Sequence, residues 1–356
     1  MRFTKMNWKR SLSFGQDEFV GLDIGSSAVK VVRLRRDNRG YAVTAAGMVQ
    51  IEPNQNDGHH ADANTAKAIS QCIESAGIQS KLAVCSVCGP EVAMRDFKFP
   101  SLPAEEIEGA VMLEAGQVCP FDTAHGSIDY QVTSDSDNCI RGMLVAATNK
   151  VIRRKVQLAK KASVDCVLMD VDGLALLNCL NEYEQRQPGC AAAVLNVGRS
   201  YTTLAAMGDN GLPFIRDIAF AGDHIAKQIA AQTGQPIETI TAILSGKQAA
   251  EFDLQGSLEE ACERLIVDVN ETLRFYAAQE KLSIAEKIYI CGGFALVREF
   301  VEVLNRRLAV KAVLWNPFDR MSSGGGWHCR DAPQKDLLQK NGPAMAVAAG
   351  LAMRSV

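Results

Sequence analysis

The stretch Val20-Gly-Leu-Asp23-Ile-Gly25-Ser-Ser-Ala-Val-Lys30-Val-Val-Arg-Leu34 decides how the rest of the chain is read. Two short, β-branched apolar runs, 19–24 and 28–34, are hinged at Gly25-Ser26-Ser27, the pattern of two strands joined by a tight turn. A Gly-Ser hinge leaves several backbone N–H groups pointing outward, and glycine lets a ligand approach the main chain closely. Concave amide arrays of this kind hold phosphate, helped by hydroxyls and a nearby lysine, here Ser26, Ser27 and Lys30. Asp23, at the strand end, suits Mg2+ held through water, because that ion prefers oxygen and keeps much of its hydration.

Working outward, the pattern returns once. Ala193-Val-Leu-Asn196-Val-Gly198-Arg-Ser200-Tyr-Thr202-Thr-Leu204 again has an apolar run ending in a short oxygen-bearing residue, a β-branched residue and Gly, then a Ser turn into a second apolar run. The separation is too long for a solenoid repeat and fits two duplicated lobes. A third glycine element, Gly292-Gly293, closes the apolar run 288–291. One such turn alone is an ordinary hairpin; three, with two matching, predict a crevice in which Gly25, Ser26, Ser27 and Lys30 face Gly198, Ser200 and Thr202 across a polyphosphate. The Gly292-Gly293 backbone would then lie flat against a nucleoside. Gly246-Lys247 lacks the upstream Gly of a Walker loop, and Gly324-Gly325-Gly326 follows no clear strand.

Strands and helices alternate along the chain, an α/β pattern. Extended runs are expected at 41–51, 82–87, 120–132, 142–147 and 164–171, and helices at 63–76 (stopped by Gly77), 104–118, 151–162, 174–186 and 298–308. His59-His60 falls in a polar segment expected to be a loop tip. The 356 residues suggest two or three domains or one two-lobed body, and 47% apolar with 22% charged residues is an ordinary folded composition. A net charge of −3 gives no global attraction for nucleic acid. The longest uncharged stretch, 341–353, is short of a bilayer span. The basic start, with Arg2, Lys5, Lys9 and Arg10, is not followed by an apolar signal core, which points to the cytoplasm. Eleven scattered cysteines read as small core residues; Cys85 and Cys88 form a lone C-x-x-C, too little for a zinc site.

These residues resemble the first phosphate motif of the actin-like ATPases, in the form carried by the PilM family of type IV pilus assembly proteins. The likeness continues through 97–103, Glu114, Pro120-Phe121, 129–132, 214–218, Gly222-Asp223, 268–276, Gly292-Gly293, 316–318 and 342–354. It implies an actin-like two-lobed α/β fold with duplicated ribonuclease-H-like subdomains and an inserted 1C-type α+β subdomain. The implied division is a basic N-terminal segment at 1–18, subdomain 1A at 19–95 and 166–190, 1C at 96–165, 2A at 191–215 and 263–340, 2B at 216–262, and a closing helix at 341–356. It further implies ATP and Mg2+ in the cleft, with Arg264 and Asp268 near ribose and purine. The partner would be the cytoplasmic tail of PilN, an inner-membrane protein, held between 1A and 1C, with PilO beyond it; self-association is left open.

This sequence departs from that pattern in places. Asn196 stands where the second phosphate motif usually has Asp, which removes a charge that would hold Mg2+ or orient water, so hydrolysis is expected to be slow or absent. Asp268 stands for the usual Glu, and Ala221 for the first Gly of a Gly pair. Asp170 and Asp172 fall where related proteins keep catalytic groups; water positioning and a solvated strand end are both open. Catalytic candidates are thus Asp23, Asp172 and Asn196. A small-molecule kinase and an FtsA-like division protein are the alternatives.

Overall fold

The computed structural model describes residues 19–37, 40–53, 58–136, 139–184, 189–209, 211–280, 284–323 and 332–354. The basic start, Gly324–Gly326 and Arg186 lie outside them. In chain order the elements are β1 (Phe19–Ile24), β2 (Ala28–Asp37), β3 (Gly40–Gln50), α1 (Gly58–Ser75), β4 (Leu82–Val87), β5 (Val92–Pro100), α2 (Ala104–Val118), β6 (Gly126–Ser136), β7 (Cys139–Thr148), α3 (Asn149–Lys161), β8 (Asp165–Val171) and α4 (Asp172–Tyr183). There follow β9 (Cys190–Val197), β10 (Thr202–Met207), β11 (Pro213–Ile218), α5 (Gly222–Thr233), α6 (Ile237–Leu244), α7 (Leu254–Ala261), α8 (Glu263–Glu280), β12 (Ile284–Cys291), α9 (Phe300–Arg307), β13 (Lys311–Leu314), α10 (Phe318–Ser323), α11 (Ala332–Asn341) and α12 (Ala346–Ala352).

The strands form two five-stranded sheets of the same design. One runs β3-β2-β1-β4-β8, the other β11-β10-β9-β12-β13. In each, a hairpin meander supplies the antiparallel half, and two parallel pairings supply the other. Each half carries its own apolar core, and a further core, built on α4, α12 and Trp315, joins them. A third sheet, β5-β7-β6, leaves the first lobe after β4 and is backed by α2 through Phe97, Val111, Ala115 and Leu144.

Local chemistry explains the element ends. Gly77, at φ +67°, stops α1, and the Thr148 side chain accepts from the Val151 N–H to start α3. Three readings are corrected. His59-His60 belongs to α1, which starts at Gly58, so this pair is helical rather than at a loop tip. The segment expected to be extended from 120 opens with a 3-10 turn at Thr123–His125, started by the Asp122 carboxylate accepting from the Ala124 N–H. The helix expected from 298 starts at Phe300.

The closing helix is wedged between the strands and α4. A side chain at Gly21 would overlap the Ala348 carbonyl, and one at Gly350 would overlap the Ala175 carbonyl. Arg354, just beyond α12, makes a bidentate pair with Asp170 at 2.5 and 2.7 Å, with side chains 11% and 3% exposed. Asp170 is therefore neither a solvated strand end nor free to position water: it anchors the end of the chain.

Candidate functional site

The two glycine turns share one backbone geometry. The Gly25 N–H donates to the Ala28 carbonyl at 3.1 Å, and the Gly198 N–H to the Tyr201 carbonyl at 3.0 Å. A Cβ at either glycine would sit 2.9 Å from that carbonyl oxygen. Both turns therefore need glycine for the same reason, the tightness of the corner.

Beside the first turn, Asp23 and Lys30 are register partners on β1 and β2, paired at 3.0 Å with both side chains 12% exposed. Lys30 Nζ lies over the turn, 3.0 Å from where a Gly25 Cβ would be. Ser26 is exposed and Ser27 half-buried. From α3, Lys155 donates to the Ile24 carbonyl, bringing a second cation to the end of β1. Asp172 is the first residue of α4 and is buried, with Ser86 and Cys88 close to its carboxyl. Burial, then the charge of Asp23, pushes its carboxyl up from the ordinary range.

Around the second turn, Asn196 and Thr203 occupy the register positions that Asp23 and Lys30 hold in the first. Ser200 is half-buried. Thr202 is fully buried and gives its hydroxyl to the Phe220 carbonyl at 2.8 Å, so it braces the turn from behind. Gly222, at the start of α5, donates to the Gly198 carbonyl at 3.1 Å, and a Cβ there would strike Phe294 at 2.7 Å. Ala221 has extended backbone at φ −162°, which any residue adopts, so the missing glycine costs nothing. Gly292 is buried at φ +93°, where a side chain would overlap the Val197 carbonyl; its lack of a side chain serves packing against β9. Gly293 is exposed with open space where a side chain would be. Arg264 lies over the Phe220 ring, 5.4 Å from its centre, and 3.9 Å from Asp268. The turn at 198, Gly222, Phe294 and Gly292 thus form one corner, with Arg264 and Asp268 reached through Phe220.

Sequence reasoning missed the residues that join the two corners. Asp217 on β11 accepts from Thr203 Oγ1 at 2.6 Å and, from across the molecule, from the Gly89 N–H at 2.6 Å. Burial raises its carboxyl to about 6, with Asp172 adding to the rise. Tyr201 stands against Gly89, 3.2 Å from where a Cβ would be. Ile215 closes on Gly173, 2.7 Å from where its Cβ would be. Two cations, Lys30 and Lys155, and the carboxylates of Asp23 and Asp172 therefore gather around the end of β1. Such a group can hold a polyphosphate and keep a hydrated divalent ion beside it. Among the described residues no group of three or more His, Cys, Asp or Glu is placed to hold a metal, and no helix is long and apolar enough to cross a membrane.

A concavity of about 690 Å³ lies where α3 meets the third sheet; Glu91, Phe121, His125, Lys150, Arg153 and Arg154 are among the residues lining it.

With this geometry in view, the family model described as type IV pilus assembly protein PilM matches residues 21–356. The chain belongs to the PilM family. Among solved structures, the PilM–PilN type IV pilus biogenesis complex is similar at 23% identity and a TM-score of 0.79, covering 96% of this chain and 99% of that one. The ethanolamine utilization protein EutJ from Carboxydothermus hydrogenoformans is similar at 13% identity and a TM-score of 0.54, covering 94% and 88%. A diol dehydratase-reactivating factor in nucleotide-free form is similar at 11% identity and a TM-score of 0.53, covering 94% and 98%. The fold is the actin-like α/β fold with two mixed sheets, as the resemblance implied, and the family is the one the motifs indicated. Within a PilM-family chain, the uncharged Asn196 is accompanied by a carboxylate two strands away, Asp217, in register with Thr203.

Proposed function

We propose that this PilM-family chain is a nucleotide-responsive scaffold of type IV pilus assembly, with ATP and Mg2+ in the interlobe crevice and the tail of a PilN-like inner-membrane protein in the groove beside α3. The observation that carries the reading is the pair of matching glycine turns, one armed with Lys30 and Asp23. Gly25, Ser26, Ser27 and Lys30 would hold one side of the phosphates, and Gly198 and Ser200 the other. Gly293 offers open backbone to the nucleoside, with Arg264 and Asp268 on its outer side. Asp23 would hold Mg2+ through water. The donor set fits: amides and an ammonium for the anion, carboxylates for a hydrated cation.

When bound, ATP supplies a phosphoanhydride bond. The chain's own residues neutralise and shield its charge, and turnover is slow because Asn196 offers no negative charge to metal or water. The groove brings Lys150, Arg153 and Arg154 beside Phe121, a lining for an extended segment that carries both apolar and polar groups. The partner would hold the chain at the cytoplasmic face of the inner membrane and link it to a PilO-like protein. Titration of the full chain with a synthetic PilN-tail peptide, with and without Mg·ATP, tests both halves. Peptide binding in either condition is expected; none in both overturns the partner assignment, and no nucleotide binding overturns the crevice assignment.

A further inference from the structure

The crevice and the groove are joined by a connection three residues long. Gly89 leaves β4 at φ +102°, a conformation open to glycine and strained for other residues. Its N–H is held by Asp217 of the second lobe, and its Cα faces the ring of Tyr201, the residue whose carbonyl closes the second glycine turn. Two residues on, Glu91 lines the groove. Its carbonyl accepts from the Thr148 N–H at 3.0 Å, and its carboxylate from the Thr148 hydroxyl at 2.9 Å. Thr148 is the residue that caps α3, and α3 in turn reaches the first turn through Lys155 and the Ile24 carbonyl. Both turns are therefore connected to α3, one at its N-cap through Gly89–Glu91 and one at mid-helix through Lys155.

We propose that Gly89–Glu91 is a coupling strap: pinned to the second lobe by Asp217, it carries closure of the crevice to Glu91, Thr148 and the groove beside α3. This deepens the function proposed above and rests on it. The physical basis is that the strap is anchored in both lobes, by one hydrogen bond to Asp217 in the second and by two to Thr148 in the first. A change of interlobe distance must either break the Asp217 bond or drag Glu91, whereas the β4–β8 and β5–β7 ladders on either side are rigid. A ligand that prefers one interlobe distance therefore biases the groove, and the groove's ligand biases the crevice by the same factor. Asp217 acts here as a positioning residue.

The test is hydrogen exchange on the full chain with and without Mg·ADPNP, read at residues 89–92 and 148–151. It is paired with titrations of nucleotide and PilN-tail peptide alone and together. In the wild type, nucleotide should change exchange in both segments by about tenfold and peptide affinity by about fivefold or more. In Asp217→Ala and, separately, Thr203→Val, nucleotide affinity should stay within about threefold of wild type while the exchange change at 148–151 and the peptide coupling disappear. Thr203→Val removes the hydroxyl that orients Asp217 and keeps the test standing if the first variant fails to fold. Nucleotide binding with no response at 148–151, or an undiminished response in both variants, overturns the strap alone. Absence of nucleotide binding in the wild type overturns the crevice assignment, and the strap with it.

Discussion

The first and second glycine turns have the same backbone and opposite electrostatics. In the first lobe the register positions after the corner hold a charged pair, Asp23 and Lys30; in the second they hold the neutral Asn196 and Thr203. The second lobe keeps its carboxylate one strand further out, at Asp217, and spends it on Thr203 and on an N–H of the opposite lobe. The backbone of such a corner is set by sterics that tolerate no side chain, so both copies retain it. The charges are free to diverge, and here one corner carries an ion pair while a carboxylate beside the other ties the lobes together.

The largest effect should come from the element the first lobe has and the second lacks, the wedged closing helix. Gly350→Ala drives a methyl into the Ala175 carbonyl, and a loss of about 3 kcal/mol or more is expected, seen as a fall in Tm by circular dichroism. An unchanged Tm would mean that α12 sits less tightly than the geometry indicates. Next, Lys30→Ala should weaken ATP binding by roughly 1.5–3 kcal/mol, about 10- to 100-fold in Kd by calorimetry, by removing a charge-assisted contact. Unaltered affinity would make the first corner as inert as a plain hairpin.

The charge kept at Asp217 has a pH signature. Its carboxyl titrates near 6 when folded, against 3.8 ordinarily, because of burial and the facing Asp172, with the Cys88 thiol also nearby. Between about pH 4 and 6 the native state therefore holds more protons than the unfolded one, so stability falls as pH rises through that window, by at most about 3 kcal/mol. Denaturant titrations at several pH values check this, and Asp217→Asn should flatten the slope. The smallest effect is expected of Asn196→Asp, which would restore charge symmetry between the corners: the Mg2+ dependence of ATP binding should rise a few-fold, with turnover increasing at most modestly. No change in Mg2+ dependence would place residue 196 off the metal's path.

Much of this was legible in the order of residues. The hinge at Gly25, its echo at Gly198, helix α2 with its bounds, and strand β4 all follow from patterns a few residues long. His59-His60 was not, because a polar run with Gly58 at its head looks like a turn until α1 packs on the first sheet and makes it helical. Thr202 reads as an available hydroxyl beside the motif, and only the strand's pleat shows that it points inward. Asp170 looked like chemistry and proved to be an anchor, since its partner Arg354 comes from the far end of the chain.

By itself, then, the sequence determined the two corners and the layered α/β alternation, because each depends on sterics and hydrophobic periodicity acting over neighbouring residues, while its motifs carried the resemblance to the family. The tertiary structure alone decided which polar groups from distant elements meet. Lys155, Asp172, Asp217, Gly89 and Tyr201 come from separate elements, and their meeting depends on how two sheets and an inserted third one pack. No local pattern records a hydrogen bond such as Gly89 to Asp217, because its energy exists only once both lobes are folded and water has left the space between them.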